Sequence, residues 1–301
     1  MKFLKLSLLF ALLLAFQAQA QQWEVGKTYS DPEKLIEFIV GDIPLVISVP
    51  HGGTLMLPDV PIRDCKNAVT VTDIRTIELA KEIEKAFLEK YKARPFIVFT
   101  NISRKQVEQN REIGEGTCGN ASLDKYWNQF HDYIDTALAI ATKKFGKAVY
   151  IDLHGHGHEI QRLELGYGPS ADVLRDLEKT NGAGVAEKTS VNNIIATDKS
   201  YTVKDLLIGK NAFGTLIQAA GYDAVPSLKN PYPLKEEKYF NGGYNTRRYT
   251  SAQYPNVFGW QIESNYKGVR DAAGRPLFAS AFADVMANYF MTYLKIKISY
   301  D

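Results

Sequence analysis

The chain has 301 residues, of which 45% are hydrophobic, 23% charged and 12% aromatic. This composition fits one large soluble domain or two small ones, and it excludes a disordered chain, a collagen and a coiled coil. The 36 basic and 34 acidic residues give no electrostatic reason to expect a nucleic acid or an anionic membrane as the main partner.

Residues 1–20 are predicted to be a secretory signal peptide. Two lysines precede an apolar run over residues 6–16, and the small residues Ala18 and Ala20 form the pattern that a signal peptidase reads. The run is shorter than the ~20 residues of a transmembrane helix, so an uncleaved membrane anchor is the weaker alternative. We expect cleavage after Ala20 and a single secreted or periplasmic domain over 21–301, in which basic and acidic residues balance.

The rest of the chain alternates short apolar runs with helical patterns, which is typical of a sheet covered by helices. The predicted buried strands are Leu45–Val49, Phe96–Thr100, Ala148–Leu153 and Val257–Ile262. Apolar residues at helical spacing predict helices over 77–87, from about Ser122 to a stop at Gly146, and over 278–293. The turn-rich stretch 168–254 is expected to carry insertions around a site.

Histidine placement is the most informative feature of the sequence. Four of the 5 histidines fall in two Gly-rich motifs, Pro50-His51-Gly52-Gly53 and His154-Gly155-His156-Gly157-His158. Each motif follows a predicted strand, and α/β sheets bind ligands beyond the carboxyl ends of their strands. Imidazoles placed there, with glycines that let the backbone approach, favour a zinc or similar divalent ion.

The alternatives are an adventitious surface histidine tract for the second motif and a satisfied core histidine for His51. Strand alternation places Asp152 and His154 on the same face, so we expect Asp152 to orient the His154 ring. His131 lies within a helical pattern and is predicted to be structural.

A catalytic zinc ion commonly has three protein ligands. Asp73, at a loop-to-helix junction, is the predicted third ligand. A plain helix N-cap is the alternative role for this residue, because Asp is a preferred N-cap. Asp64, His156 and His158 are the other candidate ligands.

Two further segments carry polar side chains beyond predicted strands. The segment 103–111 contains Arg104, Asn110 and Arg111, which can bind a carboxylate or stabilise an oxyanion. A solvated charged loop is the alternative. Glu263 ends the last apolar strand, where it suits a general base that takes a proton from water and returns it to a leaving amine.

These motifs occur in the order found in the N-formylglutamate amidohydrolase family, which the chain resembles from about Asp42 to Arg270. The family is similar in fold to zinc carboxypeptidases and aspartoacylase. The resemblance therefore implies a three-layer α/β domain of the phosphorylase/hydrolase-like kind, with a mixed central sheet flanked by helices.

The resemblance also implies roles for individual side chains. They are His51 and His154 as Zn²⁺ ligands, Arg104 for polarising the scissile carbonyl, Asn110 and Arg111 for a substrate carboxylate, and Glu263 as the base. The chain departs from the His-x-x-Glu pattern of carboxypeptidases, because Thr54 stands at the fourth position. A carboxylate ligand must come from elsewhere, which keeps Asp73 as the predicted ligand.

The sequence also indicates roles for an arginine and two cysteines outside these motifs. Arg247, in the Gly- and aromatic-rich segment 240–249, is predicted to help recognise the substrate, and an ordinary turn with solvated arginines is the alternative. Cys65 and Cys118 either form a disulfide, which an oxidising compartment permits, or remain free thiols.

The sequence thus predicts a zinc-dependent amidohydrolase that acts on an N-acyl amino acid or small peptide with a free carboxylate. The nearest alternative is a secreted zinc peptidase or cell-wall amidase. A non-catalytic extracellular protein that captures a metal or another ligand is the alternative from another class. A serine hydrolase is disfavoured because the chain has no G-x-S-x-G motif.

Overall fold

The computed structural model describes residues 22–180 and 184–298, with the backbone alone over 178–180. The predicted signal peptide, 1–20, lies outside this part of the chain, so secretion and cleavage after Ala20 remain predictions. Among the described residues, the helices are too short or too polar to cross a membrane.

In the described part of the chain, eight strands form one mixed sheet. In chain order they are β1 (Thr28–Ser30), β2 (Ile36–Ile39), β3 (Leu45–Val49), β4 (Phe96–Thr100), β5 (Ala148–Gly155), β6 (Leu163–Gly166), β7 (Ala224–Val225) and β8 (Val257–Ser264). Their order across the sheet is β1-β2-β4-β3-β5-β8-β6-β7. The four central strands β4, β3, β5 and β8 are parallel, while β2 and β6 run antiparallel to their neighbours β4 and β8.

Helices cover both faces of the sheet. They are α1 (Thr76–Tyr91), α2 (Ile113–Gly116), α3 (Asp124–Phe145), α4 (Ala171–Thr180), α5 (Asn192–Thr197), α6 (Val203–Ile208), α7 (Phe213–Ala219), α8 (Tyr244–Tyr249) and α9 (Gly274–Tyr289). The longest, α3, ends at Gly146, whose φ of 76° is a conformation that glycine adopts without strain.

Two hydrophobic cores lie on opposite faces of the sheet because successive strand residues point to opposite sides. Ile47 on β3 packs in the core that holds α1 and α9, represented by Phe87 and Phe282. Its neighbour Val46 packs in the second core, which holds α3 through residues such as Phe130. This arrangement of helices, sheet and helices is the predicted three-layer architecture.

The topology brings the predicted motifs to one edge of the sheet. The parallel strands β4, β3, β5 and β8 all end there, and β6 begins there because it runs antiparallel to β8. His154 on β5 pairs in register with Glu263 on β8, and Glu263 pairs on its other side with Glu164 on β6. Three ionisable side chains are therefore neighbours across three strands.

The four predicted strands are all present. The first two have the predicted bounds, and the other two run two residues further, to Gly155 and Ser264. The outer strands β1, β2, β6 and β7 were not predicted because they have only 2–4 residues each. The stretch predicted to carry insertions, 168–254, contains β7 and five short helices among its described residues.

Candidate metal centre

Three side chains from separate parts of the chain meet at this edge, and we call them the first histidine cluster. His51 follows β3, Asp73 precedes α1 and His154 lies on β5, and all three are buried. The Nδ1 atoms of His51 and His154 are 3.0 Å apart. Asp73 Oδ2 is 3.3 Å from His51 Nδ1 and 3.1 Å from His154 Nδ1. The structure thus brings together the three residues that the sequence predicts as ligands.

The spacing of these atoms fits a tetrahedral metal site. Zinc bonds of about 2.0–2.1 Å place tetrahedral ligand atoms about 3.3 Å apart. The three distances in the first histidine cluster span 3.0–3.3 Å. Two imidazoles and one carboxylate are also a donor set that catalytic zinc sites use, with a fourth position left for water. The side chains present therefore fit zinc or a similar divalent ion.

The orientation of the His51 ring supports this interpretation. Its Nε2 donates a hydrogen bond to Glu108 Oε1 over 2.5 Å, and Glu108 is itself buried. Glu108 Oε2 accepts a bond from Arg104 Nε at 2.6 Å. Since Glu108 holds the proton on Nε2, the lone pair of the neutral ring lies on Nδ1, the atom that faces Asp73 and His154.

The His154 ring is positioned by a buried polar chain. Its Nε2 lies 2.9 Å from Asp152 Oδ2, a charge contact without the linear geometry of a hydrogen bond. Ser48 Oγ donates to Asp152 Oδ1 at 2.7 Å and lies 2.6 Å from the Tyr150 hydroxyl. The predicted pairing of Asp152 with His154 is therefore present, and Ser48 on the neighbouring strand β3 holds the Asp152 carboxylate in place.

The electrostatics of the cluster favour a cation. Burial would raise the pKa of Asp73, but the charges and hydrogen bonds of His51 and His154 hold it well below its ordinary value. Burial would lower the pKa of His154, but Asp152, Asp73 and Glu263 raise it well above its ordinary value. The same excess of negative charge that favours a proton on His154 also favours a divalent cation between the ligand atoms.

Asp73 does not act as the helix N-cap that was the alternative. The N-terminus of α1 has no side-chain cap hydrogen bond, and only the main-chain oxygen of Asp73 contacts Thr76. The Asp73 carboxylate instead faces the two imidazoles and accepts the Gly155 N–H at 3.2 Å. Its position therefore serves the first histidine cluster.

Arg270 connects the loops that carry the cluster. Its guanidinium donates to the main-chain oxygens of Ser264, Ile74 and His156 at 3.0, 2.6 and 2.7 Å. It lies so close to Gly155 that a Cβ there would come within 2.4 Å of the Arg270 side chain. Glycine at this place in the histidine motif therefore makes room for the guanidinium.

Glu263 lies beside the cluster as the sequence predicted. It is buried, and its Oε1 accepts a bond from Gln261 at 2.9 Å. Burial raises its pKa to about 8, with His154 acting in the opposite direction and the carboxylates Asp73, Glu164 and Asp152 raising it further. A carboxyl group with this pKa can accept and return a proton near neutral pH, which its predicted role requires.

The first histidine cluster opens into a cavity of about 390 Å³ that Glu263, Arg104 and Arg111 also line. This volume is typical of a small-molecule site. A larger, more open cavity of about 840 Å³ lies beyond Gly52 and Gly53, but no histidine lines it. The chemistry of the molecule is therefore concentrated at the smaller cavity, which we call the metal cavity.

The predicted substrate-binding residues have different positions. Arg111 lines the metal cavity and is partly held by Glu115, 3.2 Å from its Nε. Asn110 also lines the metal cavity, but both ends of its side-chain amide contact the protein. Its Nδ2 lies 3.2 Å from His154 Nε2, and its Oδ1 lies 2.7 Å from the Asn245 nitrogen.

The structure does not place Arg247 in the metal cavity. It lines a separate cavity with Glu112 and Tyr244, among other residues.

A second histidine cluster, formed by His156, His158 and Glu164, lies on the β6 side of the metal cavity. Both ring nitrogens of His156 contact the main chain, Nε2 at 2.8 Å from the Arg162 oxygen and Nδ1 at 3.1 Å from the His158 N–H. This ring therefore fixes the loop after β5 and has no free nitrogen for a metal. His158 instead contacts Glu164 Oε1 at 2.8 Å.

A disulfide between Cys65 and Cys118 fastens one wall of the metal cavity. The wall is the loop before α1, whose Val69 and Val71 line the cavity. Arg63 holds the same loop by donating to the Val69 oxygen at 2.7 Å. Of the two states that the sequence left open for the cysteines, the structure has the disulfide.

Searches against protein-family models and curated proteins gave no match. Among solved structures, the chain is similar to the crystal structure of N-formylglutamate amidohydrolase from Ralstonia eutropha JMP134, with 12% identity, a TM-score of 0.53 and coverage of 83% of this chain and 95% of the other. A structure of gene product Atu2144 from Agrobacterium tumefaciens is also 12% identical, with a TM-score of 0.47 and coverage of 86% and 95%. The first likeness confirms the α/β fold and, at the level of the fold, the predicted resemblance.

Sequence reasoning missed Glu108, which belongs to the quoted segment 103–111 but was not assigned a role. Its spacing of four residues from Arg104 gave little signal, because acid–base pairing at that spacing is a rule for helices and this segment is not helical. The pairing of Glu108 with His51, 57 positions away, has no signal in a single sequence.

Proposed function

We propose that this protein is a metal-dependent hydrolase that cleaves the amide bond of an N-acyl amino acid or small peptide with a free carboxylate. The observation that carries the proposal is the first histidine cluster, whose three ligand atoms lie 3.0–3.3 Å apart and share a cavity with Glu263. A bound divalent ion would supply Lewis-acid chemistry and make water more acidic, and zinc is our choice from the donor set.

Each step assigned to the protein uses a side chain that lines the metal cavity. Arg111 binds the substrate carboxylate, and the N–H groups of Arg104 that Glu108 leaves free polarise the scissile carbonyl. Glu263 takes a proton from water as the oxygen bonds to the carbonyl carbon. It then delivers that proton to the amine nitrogen as the C–N bond breaks, which yields a carboxylate and a free amine.

The size of the metal cavity, about 390 Å³, favours a small substrate over a cell-wall polymer. The arrangement of Glu263 and Arg104 favours catalysis over metal capture, because capture requires neither residue. Secretion or a periplasmic location remains part of the proposal, on the basis of the signal-like segment 1–20.

Glu263→Gln in the zinc-loaded protein tests the proposal. We expect kcat toward N-acyl amino acids to fall by about 10²–10⁴-fold, while bound zinc stays near one per chain. Glu159→Gln is the matched control, because Glu159 is exposed and does not line the metal cavity. Full activity of Glu263→Gln would exclude Glu263 as the base. Zinc binding by the wild-type protein without hydrolysis of any N-acyl amino acid or peptide would support a metal-capture protein instead.

A further inference from the structure

The two sides of the metal cavity differ in chemistry. The segment after β4 places Arg104 and Arg111 on one side. Sheet order places β6 at the opposite side, beyond β5 and β8, and there the lining includes His158 and Phe240. Glu263, on β8, lies between the two sides. The cavity thus has arginines at one end and an imidazole backed by a carboxylate at the other.

His158 is held in one orientation by contacts of two kinds. Its Nδ1 lies 2.8 Å from Oε1 of Glu164, which is 1% exposed. Its ring stacks on Phe240, with centroids 4.8 Å apart and an interplanar angle of 13°. The Phe240 N–H in turn donates to Glu164 Oε2 at 2.8 Å. One buried carboxylate therefore contacts both the imidazole and the main chain of the residue whose ring stacks on it.

The other nitrogen of His158 is available to a ligand. Because a carboxylate accepts only, it keeps the proton of the neutral ring on Nδ1 and leaves the lone pair on Nε2. That Nε2 has no hydrogen-bond partner among the residues that the structure describes. His158 thus presents a hydrogen-bond acceptor on a wall of the metal cavity.

The proposed function fixes which part of the substrate meets this acceptor. With the carboxylate of the leaving amino acid on Arg111 and the scissile carbonyl at Arg104, the acyl part extends past Glu263 toward β6. A formyl group has only a hydrogen atom beyond its carbonyl carbon, so it cannot reach a second polar group. An aminoacyl group carries a positively charged N–H donor one carbon further on.

We propose, on the basis of the function proposed above, that His158 and Phe240 form a subsite for an aminoacyl group, so that the preferred substrates are dipeptides or short peptides. His158 Nε2 accepts a hydrogen bond from the substrate amine, and the stacked ring of Phe240 keeps the imidazole in place. Glu164 acts as a positioning residue, since it holds the His158 ring and the Phe240 main chain and does not line the metal cavity.

Isosteric substrates test this subsite. Glycyl-leucine and N-propanoyl-leucine have acyl groups of nearly equal size, but only the first has an amine, while N-malonyl-leucine carries a carboxylate there. With the zinc-loaded protein at pH 7, we expect kcat/KM for glycyl-leucine to exceed that of each of the other two by about tenfold or more, as for a hydrogen bond to a charged group. Equal values for the glycyl and propanoyl substrates, or a preference for the malonyl substrate, would overturn the proposal.

His158→Phe adds a second test, because it preserves an aromatic ring against Phe240 and removes the acceptor. We expect the glycyl-to-propanoyl ratio to fall toward one, with the thermal midpoint and zinc content measured to show that the variant is folded and loaded. A glycyl-to-propanoyl ratio in His158→Phe equal to that of the wild type would contradict the proposal. The ratio in the wild-type protein is a test that needs no variant. Hydrolysis of the propanoyl substrate at the same rate as the glycyl one would leave the proposed function intact. No hydrolysis of any of the three would overturn the subsite, while hydrolysis of another N-acyl amino acid would still support the proposed function.

Discussion

The two histidine clusters each contain two imidazoles and one carboxylate, and they differ in what their nitrogens contact. In the first, buried carboxylates contact Nε2 of His51 and of His154, while both Nδ1 atoms converge on Asp73 Oδ2. In the second, both nitrogens of His156 contact the main chain. The partner of the ring nitrogen that faces away from the other ligands therefore distinguishes a candidate ligand, such as His154, from a structural histidine, such as His156, even within one HGHGH motif.

The largest effect that should separate the clusters is the loss of metal on removal of an imidazole. We expect His154→Ala to bring bound zinc below about a tenth of the wild-type amount and to abolish hydrolysis, because two remaining ligands bind zinc weakly. Inductively coupled plasma mass spectrometry of the dialysed protein measures this.

His156→Ala, two residues along the same motif, is the matched control. We expect it to keep one zinc ion per chain but to unfold more easily by about 1–3 kcal/mol, because it leaves the Arg162 oxygen and the His158 N–H unpaired. Equilibrium denaturation measures the stability. A loss of zinc in His156→Ala equal to that in His154→Ala would remove the distinction between the clusters.

A smaller effect is expected from the carboxylate that orients His51. Glu108→Gln removes the charge 2.5 Å from His51 Nε2 and should weaken zinc binding by about 10–100-fold without abolishing it. Competition with a zinc chelator of known affinity measures the change. Unaltered zinc affinity would show that Glu108 matters only for its other contacts, which are with Arg104 Nε and the Asn110 main-chain N–H.

The last effect is a pH dependence of stability in the metal-free protein. The pKa of Glu263, raised by burial to about 8 from an ordinary 4.5, lies above its value in the unfolded chain. Its contribution to stability is therefore complete below pH 4.5 and is lost as the pH rises through 8. After chelation, the thermal midpoint of Glu263→Gln should exceed that of the wild type by a margin that grows between these pH values. If the thermal midpoints of the two proteins changed in parallel with pH, the raised pKa of Glu263 would be contradicted.

The sequence predicted the parts of the site that depend on strand ends. His51 and His154 follow or end apolar strands, and parallel strands that end at one edge bring such residues together. The alternation of side chains along β5 was enough to pair Asp152 with His154. The prediction of Asp73 as a ligand depended on a further observation: Thr54 stands where carboxypeptidases have a glutamate ligand, so the carboxylate had to come from elsewhere.

The remainder depends on where loops lie in space, which local pattern does not determine. Arg247 was expected at the substrate site because of its glycine and aromatic neighbours, yet it lies in a separate cavity. The contact of His158 with Glu164 depends on β6, a strand of only 4 residues, which is too short for its pattern to be distinctive. The sequence alone therefore named both histidine motifs but did not distinguish the roles of His156 and His158.

Anomalous diffraction from crystals grown with zinc tests most directly the claim that His51, Asp73 and His154 share one ion. Data collected on both sides of the zinc absorption edge locate the ion without reference to activity. We expect one dominant peak about 2.0–2.3 Å from the two Nδ1 atoms and Asp73 Oδ2. A dominant peak at His158 and Glu164, or none at the first histidine cluster in crystals soaked with zinc, would contradict the account.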